Sequence, residues 1–247
     1  MRRGKQFIRY GMDERKKTIL KAIVWEYVKT KEPVSSFVLT DKYRLNVSSA
    51  TIRNEMQELD EMGYLMQPHI SGGRIPTDRA YRFFVDEFAQ NAGVSKSLQS
   101  SIDDSLGKVG HAQDVAKESV KVLSRLSKNL SINTVYAPEG MNIYSSGYEY
   151  LLHQDDMWEE RIMGPFWILD NFEEYARAMQ EYVANTDDII VMIGKENPFS
   201  ILYNCSVVFS RYAAEDGGQG ILGIVGPRRM DYRKNIALIQ YVKEQYL

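Results

Sequence analysis

Residues 47–59, reading Val-Ser-Ser-Ala-Thr-Ile-Arg-Asn-Glu-Met-Gln-Glu-Leu, constrain this fold more than any other segment of the chain. At about 100° per residue, Ile52, Met56 and Leu59 share one apolar stripe. Ala50, Asn54 and Gln57 fall on the opposite side, flanked by Thr51 and Arg53. The pattern predicts an amphipathic helix, with Ser48 or Ser49 as N-cap and Gly63 as the stop. Its polar face is chemically suited to base edges. Asn and Gln pair with adenine, Arg pairs with guanine, and the methyls of Ala50 and Thr51 can meet thymine. A plain surface helix has the same period, so the flanking segments decide between the two.

Upstream, Ile19, Leu20, Ile23, Val24, Tyr27 and Val28 recur at helical spacing, predicting a first core helix over 13–29 that ends before Pro33. Residues 35–43 predict a shorter second helix with Val38 and Leu39 inward, and Arg44-Leu45-Asn46 a tight connection. Downstream, 64–67 reads as a strand, 69–73 as a hairpin tip, and Arg74-Ile75 as a returning strand stopped by Pro76. Short helix, turn, longer helix and hairpin make a winged helix-turn-helix over 13–90. In that frame Ser49, Thr51, Arg53, Asn54 and Gln57 are the candidate base readers. Ser48, Arg74 and His69 are candidate contacts to the sugar–phosphate backbone, with Gly72 and Gly73 allowing close main-chain approach. Asp78 is expected to cap a fourth helix carrying Tyr81, Phe83, Phe84, Val85 and Phe88.

Charge is unevenly placed. Through Phe88 there are 16 Lys and Arg against 12 Asp and Glu, whereas the remainder has 15 against 21. The basic part coincides with the candidate reader. Residues 1–12 form a basic extension, either a phosphate-contacting arm or an extension without function. Phe7-Ile8 is too short for the apolar segment of a secretory signal, and no run approaches the roughly 20 apolar residues of a membrane span. One cysteine, Cys205, excludes an intrachain disulfide. These features predict a cytoplasmic protein with no membrane partner.

The second half alternates element types. Residues 91–111 read as a linker containing a helix around 96–106, and 112–130 as a helix with Val115, Val120, Leu123, Leu126 and Leu130 in a stripe. Strands are predicted at 142–147, 189–193, 206–212 and 220–225. Helices are predicted at 172–182 and 232–246, the last with Asp231 as N-cap. The fold class is therefore α+β, with a second domain over 112–247. Gly220, Gly223 and Gly226 lie inside a strand and match no phosphate-loop spacing, so close packing is the simpler reading. His69, His111 and His153 fit no metal-ligand spacing, and Cys205 has no local catalytic partner. No cofactor, metal or enzymatic activity is expected.

Several strings, as they stand here, resemble the family of the heat-inducible transcription repressor HrcA. They are SSATIRNEM at 48–56, LDEMGYL at 59–65, GRIPTDRAYR at 73–82, IGKEN at 193–197, CSVV at 205–208 and GILGIVGPRRMDY at 220–232. The resemblance implies a dimeric repressor of class I heat-shock (chaperone) operons, binding double-stranded DNA at an inverted-repeat operator and modulated by a chaperonin. It implies a GAF-like second domain for sensing or dimerisation. Two departures stand out. The wing reads Ser71-Gly72-Gly73 where the family has Ser-Ala-Gly, and most of the inserted dimerisation segment is missing, which marks a shortened member. The competing reading is a ligand-sensing or protein-interaction module that binds nucleic acid without sequence preference.

Overall fold

The computed structural model describes residues 11–43, 45, 47–68, 72–89, 93–137, 140–152, 159–183, 188–213 and 219–247. The basic arm over 1–10, Arg44 and Asn46 of the expected connection, His69 and Ser71 of the hairpin tip, and His153 lie outside them. The chain is α+β and divides into two units, Met1–Asp86 and Glu87–Leu247.

In the first unit, helix α1 (Glu14–Thr30) begins where Asp13 Oδ1 accepts the Lys16 N–H at 2.8 Å. It stops at Lys31, whose left-handed backbone returns its N–H to Tyr27 O just before Pro33. Helix α2 (Ser36–Tyr43) follows, then α3 (Ser49–Glu61). Ile19, Leu20, Ile23, Leu39, Ile52, Met56 and Leu59 are all buried, as their spacing predicts. Gly63, at φ +75°, turns the chain so that the Tyr64 N–H reaches Leu59 O at 2.9 Å.

Strands β1 (Leu65–Met66) and β2 (Ile75–Pro76) form the hairpin, with Leu65 opposite Pro76. Pro76 is the last residue of the returning strand, which ends there as expected. Arg74, expected in that strand, pairs with the α1–α2 loop: Val34 N–H to Arg74 O at 2.9 Å, Arg74 N–H to Val34 O at 2.8 Å. A Cβ at Gly73 would sit 2.4 Å from Val34 O, so the missing side chain serves this closure within the fold.

Helix α4 (Asp78–Phe84) starts from Thr77, not Asp78. Thr77 Oγ1 is turned away to donate to Gly63 O at 2.7 Å, and Asp78 occupies the first turn, where its charge complements the helix dipole. The helix widens into a π turn, Val85–Ala89. Phe83 lies edge-on to Tyr64 and Phe84 is tilted against Trp25, placing the predicted aromatic row in the core.

The second unit opens with α5 (Lys96–Leu106), which buries Ile102 and Leu106, and α6 (Ala112–Ser127). Though expected in a linker, α5 is fixed to this unit: Asp103 accepts the Tyr241 hydroxyl at 2.9 Å. Lys128 ends α6 with a left-handed backbone, so Leu130, expected in the helix, begins strand β3 (Leu130–Ala137). After β3 come β4 (Gly140–Ser146), α7 (Tyr148–Leu152), α8 (Glu159–Asp170) and α9 (Phe172–Val183). Strands β5 (Ile190–Ile193), β6 (Cys205–Ala213) and β7 (Gln219–Pro227) precede the closing helix α10 (Tyr232–Tyr246). The five strands are antiparallel in the order β4-β3-β7-β6-β5.

Alternation along the strands gives the sheet two unlike faces. On one, Ile132, Val207, Phe209, Ile221 and Val225 pack with Ile168 of α8 and Phe172, Tyr175 and Ala176 of α9. A cavity of about 20 Å³ remains there beside Gly223. On the other face the polar groups close on one another. Asn133 Nδ2 donates to Ser119 Oγ of α6 at 3.0 Å, and the Tyr212 hydroxyl lies 2.8 Å from Asn133 Oδ1 and 2.9 Å from Thr134 O. Ser206 Oγ meets the Tyr232 hydroxyl of α10 at 2.7 Å.

Two of the three glycines of β7 are required by close approach on the polar face. A Cβ at Gly220 would lie 2.0 Å from Thr134 O and 2.4 Å from Tyr212 Cζ, and one at Gly226 2.2 Å from Asn129 Oδ1. Cys205 is buried at the start of β6, and burial pushes its thiol up to about 12.

Candidate nucleic-acid interface

The interface is built on the start of α3. Ser48 is the N-cap: its Oγ accepts the Thr51 N–H at 3.1 Å and meets Thr51 Oγ1 at 2.9 Å. Ser49 Oγ lies 3.1 Å from Ser36 Oγ and so fastens the beginning of α3 to the beginning of α2. These three hydroxyl residues are engaged in holding the helix entry. They fix where the first turn points, and its free N–H groups favour an anion.

Ala50 of the first turn and Arg53, Asn54 and Gln57 beyond it are exposed. Arg53 and Asn54 make no hydrogen bond or ion pair among the described residues. Gln57 Nε2 donates to Glu61 Oε1 at 3.1 Å. Arg74 is brought near the helix from the hairpin. Its Nε stands 2.7 Å from Asp60 Oδ2, with the side chain 19% exposed, which aims the planar fork while leaving its terminal nitrogens unbonded among the described residues. His69 lies outside the described residues.

The sequence reading missed how the acids of α3 are neutralised. Lys16 of α1 reaches Glu55 at 2.9 Å and Glu58 at 2.8 Å, and Arg15 lies 3.5 Å from Glu55, itself buried. These carboxylates hold the Lys16 ammonium well above the ordinary lysine range. Together with the Arg74–Asp60 pair, this arrangement removes most of the negative charge that would oppose a phosphodiester. Arg79 completes the helix end by donating to Met62 O at 2.7 Å while lying over the Tyr64 ring.

Glu26, buried in α1, performs a similar task for α2. It pairs with Lys42 and accepts the Tyr43 hydroxyl at 3.1 Å, and the Lys42 ammonium lowers its pKa. None of these pairs has a local sequence signature, because the partners come from different helices. The result is a small, outward, uncommitted set of amide and guanidinium groups on a braced helix. That set can read base edges and contains no nucleophile–base pair. Among the described residues no group of His, Cys, Asp and Glu could hold a metal ion, and no helix is long and apolar enough to cross a membrane.

Comparison with known proteins gives this geometry its family. The heat-inducible transcription repressor HrcA of Acetivibrio thermocellus is 28% identical over 338 residues, covering 95% of both chains. That of Caldanaerobacter subterraneus is 29% identical, covering 92% of this chain and 93% of its own. Both aligned stretches exceed the 247 residues of this chain, so these relatives carry residues that it lacks. A crystal structure of a hypothetical protein shares the fold, with a TM-score of 0.77, 18% identity and coverage of 95% of this chain and 97% of that one. The model of the HrcA protein C terminal domain matches residues 46–236, which span both the helix described above and the five-stranded sheet; the chain belongs to the HrcA family of heat-inducible transcription repressors.

Proposed function

We propose that this chain is a sequence-specific DNA-binding repressor of class I heat-shock (chaperone) operons, working in the cytoplasm as a homodimer on an inverted-repeat operator. The first unit, over about 13–90, acts as a winged helix-turn-helix, with β1–β2 as the wing. The second acts as a GAF-like sensor or dimerisation domain, a reading supported by its antiparallel sheet with helices on both faces. Arg53, Asn54 and Gln57 read bases from α3, assisted by Ser49 and Thr51 at its entry. Ser48, Arg74 and His69 contact the backbone. A chaperonin modulates the repressor, as the family resemblance implies.

One observation carries this reading: Arg53 and Asn54 stand exposed on a braced helix with no partner among the described residues. The test is a fluorescence titration at fixed salt against the upstream region of a chaperone operon from the same genome, with a scrambled duplex as competitor. Asn54→Ala should cost about 1–3 kcal/mol on the operator, relax the preference at one base position, and leave scrambled DNA nearly unchanged. Equal losses on both duplexes would refute the assignment.

A further inference from the structure

Strand β4 (Gly140–Ser146) is an edge of the five-stranded sheet, and among the described residues no strand pairs with its outer side. An edge presents a row of main-chain donors and acceptors, which monomeric proteins protect with lysines, prolines or bulges. β4 has none of these. Its sequence, Gly-Met-Asn-Ile-Tyr-Ser-Ser, carries no charge and no proline, and it pairs with β3 in unbroken register from Ser131–Ser146 to Ala137–Gly140.

An apolar surface adjoins this edge. Ile143, at the middle of β4, and Tyr148 are each 39% exposed, and Met163 of α8 is 57% exposed. Tyr148 hydrogen-bonds Ser145, two residues from Ile143 on the same strand face, and its ring stacks on Phe166, one helical turn from Met163. The exposed side chains thus run from the centre of the free edge onto α8.

We infer that β4 pairs antiparallel with β4 of a second copy, forming a continuous ten-stranded sheet. The second copy is the occupant these features favour. A two-fold axis perpendicular to the sheet keeps each face on its own side, so the Ile143–Tyr148 surfaces of both copies meet. A strand without charge also meets its own copy without like-charge repulsion, whereas a lysine or glutamate near the two-fold axis would face its twin. The inference deepens the homodimer reading above by naming its surface.

The test is the mass of the full chain by sedimentation across a concentration series, for wild type and Ile143→Lys. Wild type should be dimeric at micromolar concentration. Ile143→Lys should raise the dimer dissociation constant at least tenfold while keeping the wild-type far-ultraviolet circular dichroism, since the side chain is 39% exposed. Hydrogen exchange of wild-type β4 amides should slow as concentration rises, which serves as a second measure if the variant misfolds. A wild-type dimer unaffected by Ile143→Lys, with β4 exchange independent of concentration, would overturn the edge pairing and leave the dimer reading standing. A chain monomeric at every concentration would overturn both, and operator binding by that monomer would still uphold the reading helix.

Discussion

Polar side chains are used in opposite ways in the two units of this protein. In the sheet unit, Asn133, Ser119, Tyr212, Ser206 and Tyr232 are buried and satisfy one another. On α3, Arg53 and Asn54 are exposed and engage nothing among the described residues. A buried polar group without a partner costs free energy, so closed networks mark architecture. An outward group without a partner is available to whatever arrives. Three acids of the same helix are nevertheless paired: Glu55 and Glu58 with Lys16, and Asp60 with Arg74.

The contrast can be attacked most strongly at Gly220. A side chain there must displace Tyr212 from Thr134, so Gly220→Val should lose about 3 kcal/mol or more of stability, read as a fall in denaturant midpoint. A variant as stable as wild type would show that the network is not closed as described.

Next is Glu26, a buried acid whose pairing is architectural. Because Lys42 lowers its pKa in the fold, its contribution is complete above the ordinary glutamate value of 4.5 and is lost as pH falls through the lower folded value. Glu26→Gln should cost about 1–3 kcal/mol at neutral pH and flatten the acid limb of the stability profile. An unchanged acid limb would remove Glu26 from that role.

Arg74 lies between the two classes, with Nε on Asp60 and its terminal nitrogens unbonded among the described residues. Arg74→Ala should weaken binding to all duplexes and reduce the steepness of the log affinity against log salt plot by about 0.9, the signature of one phosphate contact. A weaker complex with unaltered slope would mean that Arg74 only braces α3. The smallest effect is expected at Gly223→Ala, whose Cβ would meet Phe209 Cβ at 3.3 Å beside the apolar cavity. It should raise stability by less than about 1 kcal/mol, and a loss would mean that Phe209 cannot give way.

What was legible in the sequence had local physical causes. Periodicity placed α1, α2, α3, α9 and α10, turn chemistry placed Gly63, Asp231 and an N-cap at Ser48 or Ser49, a buried apolar run placed β5, and alternation placed β6. The exposed polar face of α3 was legible because its chemistry is written along one helical face. Long-range requirements were not. Strand β3 was hidden because the stripe of α6 runs on into Leu130, and only the left-handed Lys128 separates the two. The Val34–Arg74 bridge, the Lys16 pairs with Glu55 and Glu58, and the Gly73 closure against Val34 depend on residues 39 to 42 positions apart in the chain.

Cys205 has a practical consequence. Thiol reagents attack the thiolate, and a sulfhydryl buried at the base of β6 with its ionisation pushed to about 12 offers almost none at neutral pH. Because it is the one cysteine in the chain, a single cysteine introduced on the surface would take up a maleimide dye or spin label selectively. Distance measurements between labelled copies, with and without operator DNA, can therefore be made without first removing the native residue.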